Sequence, residues 1–270
     1  MVVHLAQLTD THVVVEDTDE VLYVDNNDRA RRVVAAIGAQ RPAVDAILAT
    51  GDLTQWGAAE EFDVLRDVLA PFDVPVLAVP GNHDEREGLR RCFPDLDWVD
   101  AAHASWVHEI GGVRIVGLDS TVPGAPGADF DAERERWLTD VLAVGHDGPT
   151  VLAMHHPPFR SGIAWMDANG FVGRDRFAAV LDAADGAVDR IVCGHLHRPA
   201  AAVVGGVMAE VGPATTVHVA LDLTGSTDVR LVRDPFGYRL LRIDSESIVS
   251  HVRYVDTGEQ PFEPAWAADG

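Results

Sequence analysis

The feature that most constrains this chain is a repeated juncture, a short apolar run that stops at a cluster of acid, amide or imidazole. Val2–Leu8 stops at Thr9-Asp10-Thr11-His12, Ala46–Ala49 at Thr50-Gly51-Asp52, and Val76–Val79 at Pro80-Gly81-Asn82-His83-Asp84. Val151–Met154 stops at His155-His156-Pro157-Pro158, and Arg190–Cys193 at Gly194-His195-Leu196-His197. Such short Val-, Ile-, Leu- and Ala-rich runs read as strands buried on both faces. Between them lie segments of helical spacing: Arg29–Gln40 with Val33, Val34 and Ile37, Gly57–Leu69 with Phe62, Leu65 and Leu69, and Ala132–Leu142 with Trp137 and Leu138. Trp106–Ile110 and Val113–Leu118 read as a hairpin across Gly111-Gly112.

Strands alternating with helices predict an α/β core with parallel pairing. After His197 only strand-like segments follow: Ala201–Val204, Val207–Val211, Thr216–Leu221, Tyr238–Ile243 and Ile248–Val255. They predict antiparallel strands closing a second sheet. The expected architecture is two packed mixed β-sheets flanked by helices. Residues 1–257 form a single domain in this reading, and the Pro-, Ala- and acid-containing segment 258–270 a flexible tail.

Composition narrows the setting. The 270 residues carry a formal charge of −22, and every Lys-or-Arg position is Arg. Such a surface repels nucleic-acid backbone and anionic membrane, so neither a nucleic-acid polymer nor a membrane is expected as partner. A small anionic substrate stays compatible, because bound cations reverse the local field. No apolar run is long enough to span a bilayer, and the first residues lack the basic start and small-residue cleavage site of a signal peptide. The expected location is the cytoplasm. Cys92 and Cys193 stand far apart and outside any C-x-x-C pattern, which predicts reduced, buried thiols.

In an α/β sheet the carboxyl ends of strands are where ligands bind. Asp10, His12, Asp52, Asn82, His155, His195 and His197 therefore gather at one edge. Taken singly, each cluster has an ordinary explanation: a helix cap at Asp10-Thr11-His12, turns at Gly51-Asp52 and Gly81–Asp84, a rigid strand exit at His155–Pro158. Alternating His195 and His197 are harder to dismiss, since both imidazoles share one face of an extended segment. Of 12 histidines, six lie in these clusters. His4, His103, His108, His146, His218 and His251 lack such company and read as surface or core residues. Mixed imidazole, carboxylate and amide donors suit a pair of divalent cations such as iron, manganese or zinc. One shared carboxylate would hold the ions about 3.5–4 Å apart. Asp119 and Ser120 read as a structural loop. Trp56 and Trp137 read as packing, and Trp165 as the tryptophan to contact substrate.

The ordered set Asp10-x-His12, Gly51-Asp52, Gly81-Asn82-His83-Asp84, His155 and Gly194-His195-x-His197 resembles the calcineurin-like metallophosphoesterases. The resemblance implies a double β-sandwich flanked by helices. The stretches Leu118–Gly124, His155–Pro158 and Gly162–Gly170 are similar to those of class III cyclic-nucleotide phosphodiesterases and their glycerophosphodiesterase relatives. Carried over by motif, Asp10, His12, Asp52 and His197 would bind one metal and Asp52, Asn82, His155 and His195 the other, with Asp52 bridging. Gln55 stands where relatives often carry an acid or asparagine, and only a local effect is expected of it. The implied reaction is attack of a metal-bridging hydroxide on the phosphorus of a small phosphodiester. His83 would protonate the leaving oxygen, Asp84 would orient His83, and Asn82, His83 and His156 would lie on the substrate. Cyclic AMP is the first expectation, followed by glycerophosphodiesters and phosphomonoesters. A non-catalytic metal-binding scaffold is the alternative of another class. Relatives of this kind are often dimers, so a homo-oligomer is expected.

Overall fold

The computed structural model describes residues 2–15, 25–99 and 102–255. In chain order the strands are β1 Val3–Leu8, β2 Ala46–Thr50, β3 Val76–Val79, β4 Trp106–Ile110, β5 Val113–Leu118, β6 Thr121–Val122, β7 Ala125–Asp129, β8 Thr150–Met154, β9 Phe171–Val172, β10 Arg190–Cys193, β11 Ala200–Val204, β12 Val207–Val211, β13 His218–Val219, β14 Leu231–Val232, β15 Gly237–Ile243 and β16 Ile248–Tyr254. The helices are α1 Asn26–Gly38, α2 Ala59–Leu69, α3 Arg86–Cys92, α4 Ala132–Ala143, α5 Ala164–Ala168 and α6 Arg174–Ala183.

Two large sheets form the body. One has the order β16-β15-β1-β2-β3, the other β11-β12-β10-β8-β5-β4. Each sheet has a parallel set of strands: β1, β2 and β3 in the first, with β3 at its edge, and β5, β8, β10 and β12 in the middle of the second. Every residue of β2 and of β8 is buried, as strands covered on both faces must be. Along the second sheet the faces alternate. Ile115, Val151, Ala153 and Val192 join the core shared with the first sheet. Val116, Leu118, Leu152, Met154 and Ile191 pack instead with Leu138 and Leu142 of α4 and Phe177, Val180 and Leu181 of α6.

Buried polar groups tie the sheets across their interface. Trp106 Nε1 donates to Ala78 O at 2.6 Å and Gln7 Nε2 to Cys193 O at 2.6 Å. Arg239 of β15 reaches Glu210 Oε1 at 3.0 Å and Val211 O at 2.7 Å in β12. Arg190 of β10 holds the other Glu210 oxygen at 2.9 Å.

The packed mixed sheets agree with expectation, but the last strands go elsewhere. β11 and β12 do extend the second sheet, whereas β15 returns to pair antiparallel with β1 and carries β16 at the edge of the first. The predicted strand Thr216–Leu221 shrinks to β13, which pairs with β14 in a separate ribbon. The segment 258–270 lies outside the described residues. No helix among the described residues is long and apolar enough to cross a membrane.

Candidate metal centre

The five polar clusters sit at the carboxyl ends of β1, β2, β3, β8 and β10, and their loops are laced together. Asp10 N donates to Gly51 O and His12 N to Asp52 O, each at 3.0 Å, and Gly194 N to His155 O at 2.9 Å. His195 N donates to Asp10 Oδ1 at 3.0 Å, joining the two sheets at this edge. The turns are sharp enough to force left-handed backbone. Among the described residues, the non-glycine positions with positive φ are Asp10, His12, Asp52, His195, His197 and Asp185. All but Asp185 belong to the candidate ligand set. Left-handed backbone is costly for residues with a Cβ and collects at functional sites. Gly51, at φ 84°, shows why the loops need glycine. A Cβ there would stand 2.6 Å from Gly81 N and 2.6 Å from His155 Nδ1.

Asp10, His12, Asp52 and His197 bring ligand-type atoms within 4.8 Å of one another. The hydrogen bonds fix what those atoms present. His12 Nδ1 lies 2.8 Å from Gln55 Oε1, and His197 Nδ1 lies 2.7 Å from Val217 O. Both partners accept only, so each Nδ1 carries the proton and each neutral ring offers a lone pair at Nε2. Those two Nε2 atoms face each other at 3.1 Å. Asp52 Oδ2 stands 3.6 Å from His12 Nε2, and Asp10 Oδ1 stands 3.5 Å from His197 Nε2. Converging lone pairs and carboxylate oxygens fit a cation.

A second cluster lies on the other side of Asp52. His155, His156 and His195 also bring ring nitrogens within 4.8 Å. His155 Nδ1 is 2.8 Å from Thr50 O, which again leaves the lone pair at Nε2. That Nε2 lies 3.2 Å from Asp52 Oδ2, yet it and Asn82 Oδ1 are buried without a hydrogen-bond partner. Buried polar atoms left unpaired call for an explanation, and a second cation supplies one. Asp52 Oδ2 is thus placed between His12 and His155, while Asp52 Oδ1 is held by His83 N at 2.9 Å.

Charge follows from the same contacts. Burial would raise the Asp52 carboxyl, but His155, His12 and His83 beside it outweigh burial and hold it well below the usual range. Burial raises Asp10. Burial lowers His12 and His156 well below the ordinary imidazole value, and lowers His195 to about 3. His155 goes the other way: burial opposes its charge, but without a cation at Nε2 the Asp52 carboxylate overrides burial and lifts the ring to about 9. A cation there would displace that proton and take the lone pair.

Three residues have tasks different from those expected. Asp84 does not touch His83. Its carboxylate accepts from Leu53 N, Thr54 N, Thr54 Oγ1 and Gly81 N at 2.8–3.1 Å, clamping the β2 and β3 loops together. His83 is oriented by Gln55, whose carbonyl oxygen lies 2.7 Å from His83 Nδ1. Gln55 therefore positions both His12 and His83, well beyond the local effect expected from sequence. His156, placed on the substrate by the resemblance, is 2% exposed with Nδ1 2.9 Å from Ser120 Oγ and Nε2 3.2 Å from Pro126 O. Both ring nitrogens are thereby spent on the loop around β6 and β7. Asp119 is structural as read, paired with Arg86 at 2.7 Å and accepting from Ala104 N at 2.9 Å. Trp56, read as packing, is 64% exposed.

A cavity of about 250 Å³ opens over the clusters, with His12, Asp52, Asn82, His83, His195 and His197 among its lining and Trp165 on its wall. Two packed sheets that deliver carboxylate, amide and imidazole to one edge beside a cavity define a two-metal hydrolase. The profile of the calcineurin-like phosphoesterases matches residues 3–199, and the chain belongs to that family. Among its relatives is a protein of Arcobacter nitrofigilis named probable glycerophosphodiester phosphodiesterase GpdQ. It is 30% identical over 261 residues, covering 96% of this chain and 95% of that one. Another is the 3′,5′-cyclic adenosine monophosphate phosphodiesterase CpdA of Pseudomonas aeruginosa, 30% identical over 242 residues, with 90% and 86% covered. In fold, the chain is similar to a dimetal phosphatase from Danio rerio, with a TM-score of 0.72 and 15% identity, covering 93% of this chain and 96% of that one.

Proposed function

We propose that this chain is a dinuclear metal-dependent phosphodiesterase of small phosphodiesters, with 3′,5′-cyclic nucleotides as first substrate and cyclic AMP foremost. The observation that carries it is the set of lone pairs at His12, His197 and His155 and the unpaired Asn82 Oδ1, arrayed around one shared carboxylate. Asp10, His12, Asp52 and His197 would hold one cation, and Asp52, Asn82, His155 and His195 the other. When bound, iron, manganese or zinc ions supply Lewis acidity, which makes water a nucleophile near neutral pH and offsets phosphate charge.

The chain's own residues do the rest. Gln55 and Val217 O keep His12 and His197 in the tautomer that binds a cation. Gln55 O accepts from His83 Nδ1, so this cavity-lining ring, as an imidazolium, can give its Nε2 proton to the leaving alkoxide and end neutral with the remaining proton on Nδ1. Asn82 and His83 line the phosphate end of the cavity, and Asp84 fixes the turn that carries them. The reading places the enzyme in the cytoplasm as a homodimer, which fractionation and light scattering test. A glycerophosphodiester is the second reading, supported by the similarity to GpdQ along nearly the whole chain.

The test is initial rates with manganese on cyclic AMP, a glycerophosphodiester and a phosphomonoester, with Asp52→Ala as the blank. Asp52→Ala should lose metal and activity together. His83→Ala should keep its metal and lose about 10²–10⁴-fold in turnover, the range of general acid catalysis. A fully active His83→Ala on a diester with a poor leaving group would remove the acid role from His83.

A further inference from the structure

The cavity has a second character above the metal-binding residues. Trp165 and Met166 of α5 form one wall, and Val219, Val229 and Leu231 of the β13–β14 ribbon and its connection form another. Among the described residues that line the cavity, Asp52 is the only Asp, Glu or Arg, and it belongs to the floor. Val229 and Leu231 are 67% and 40% exposed, so the ribbon shows apolar surface beside the site rather than hiding it. Exposed apolar surface at the rim of a cavity marks a binding surface.

Asn26, at the start of α1, adds an independent sign. Its Nδ2 donates to His12 O at 2.9 Å, which fixes the amide. Its Oδ1 is then left buried with no hydrogen-bond partner, on a residue that is 1% exposed and lines the same cavity. A buried acceptor of this kind costs stability unless a donor meets it.

We propose that this wall is a nucleobase subsite, so that the chain selects phosphodiesters bearing a flat heteroaromatic ring with an N–H donor at its edge. The inference rests on the phosphodiesterase reading and adds what the phosphate's substituent must be. An aromatic ring bound against the Trp165 indole and the ribbon would be held by stacking and apolar contact, which stabilise any flat π-face. An exocyclic amino group at the ring edge satisfies Asn26 Oδ1. A glyceryl substituent suits the wall less, because its hydroxyls would face Met, Val and Leu without partners. The metal-binding floor recognises phosphate alone, so discrimination between substituents falls to these residues.

The experiment compares kcat/KM for cyclic AMP with that for 1-O-methylribose 3′,5′-cyclic phosphate, which keeps the sugar and phosphate and lacks the base. The metal-loaded wild type should prefer cyclic AMP. In Trp165→Ala the ratio of the two should fall about 10- to 100-fold, the usual loss for one stacked base. Val229→Ser, on the exposed rim where folding is not at stake, should lower the ratio in the same direction. Adenosine, having no phosphate, should compete with substrate in the wild type and lose that ability in Trp165→Ala. A wild type that cleaves both diesters equally well, or variants that leave the ratio unmoved, would overturn the subsite while leaving the phosphodiesterase reading intact. A metal-loaded wild type that cleaves neither would overturn both.

Discussion

Gln55 is where the two kinds of work in the site meet. Its side chain sets the His12 tautomer and its main chain sets His83, so its two oxygens serve metal binding and proton transfer separately. Gln55→Leu removes the first, together with a long 3.5 Å approach of Nε2 to His83 Nδ1, and keeps the main-chain contact to His83. It should weaken metal binding about 10- to 100-fold, as loss of a partner behind a histidine ligand does, read by titration against a chelator of known affinity. Gln55→Glu keeps an acceptor toward His12 and should restore much of the binding. The residues that converge on the edge were legible because a polar cluster at a strand end has one place to go. The tasks of Asp84, Gln55 and His156 were not legible. Their hydrogen-bond partners lie some 30 residues away along the chain, as with Asp84 and Leu53 or His156 and Ser120, and spacing does not say which way a side chain turns.

Among the elements, the loops at the strand ends are more constrained than the strands they terminate. Gly51→Ala would place a Cβ against Gly81 and His155 in a backbone already left-handed. We expect a loss of at least about 1–2 kcal/mol from the backbone alone, visible as a lower urea midpoint, together with weaker metal binding. The strands of the two large sheets were read to within a residue or two, because runs such as Ala46–Ala49 and Ile191–Cys193 are apolar throughout, whereas the short β6, β7, β9 and β14 were not read. The destination of the C-terminal strands was hidden. An alternating segment such as Ile248–Tyr254 declares that it is half-buried, as an edge strand, but not which sheet it borders. α6 carries Phe177, Val180 and Leu181 at helical spacing and was readable in principle. The five-residue α5 was not, since one turn leaves too little periodicity to see.

On the scale of the whole molecule, the two sheets depend on buried charge as well as apolar contact. Glu210 faces Arg190 and Arg239, and Arg239 is only 4% exposed. Glu210→Ala leaves those cations without their partner and should cost about 3–5 kcal/mol in unfolding free energy by denaturant titration. Acid sensitivity follows from buried imidazoles. Burial lowers His218 from 6.5 to about 4, so the unfolded chain takes up its proton first as pH falls. The stability it contributes is complete above pH 6.5 and is lost as pH drops towards 4. A His218→Leu variant should show a flatter decline in urea midpoint across that window. The left-handed turns at Asp10, His12, Asp52, His195 and His197 join both sheets at one edge, so a ligand bound there acts on the fold as a keystone does on an arch. At a hundredfold excess over its dissociation constant, such a ligand adds about 2.7 kcal/mol of stability. Scarcity of metal in a cell would then thin the population of the protein through proteolysis as well as idle the survivors, and the amount of enzyme would report the supply of its cation.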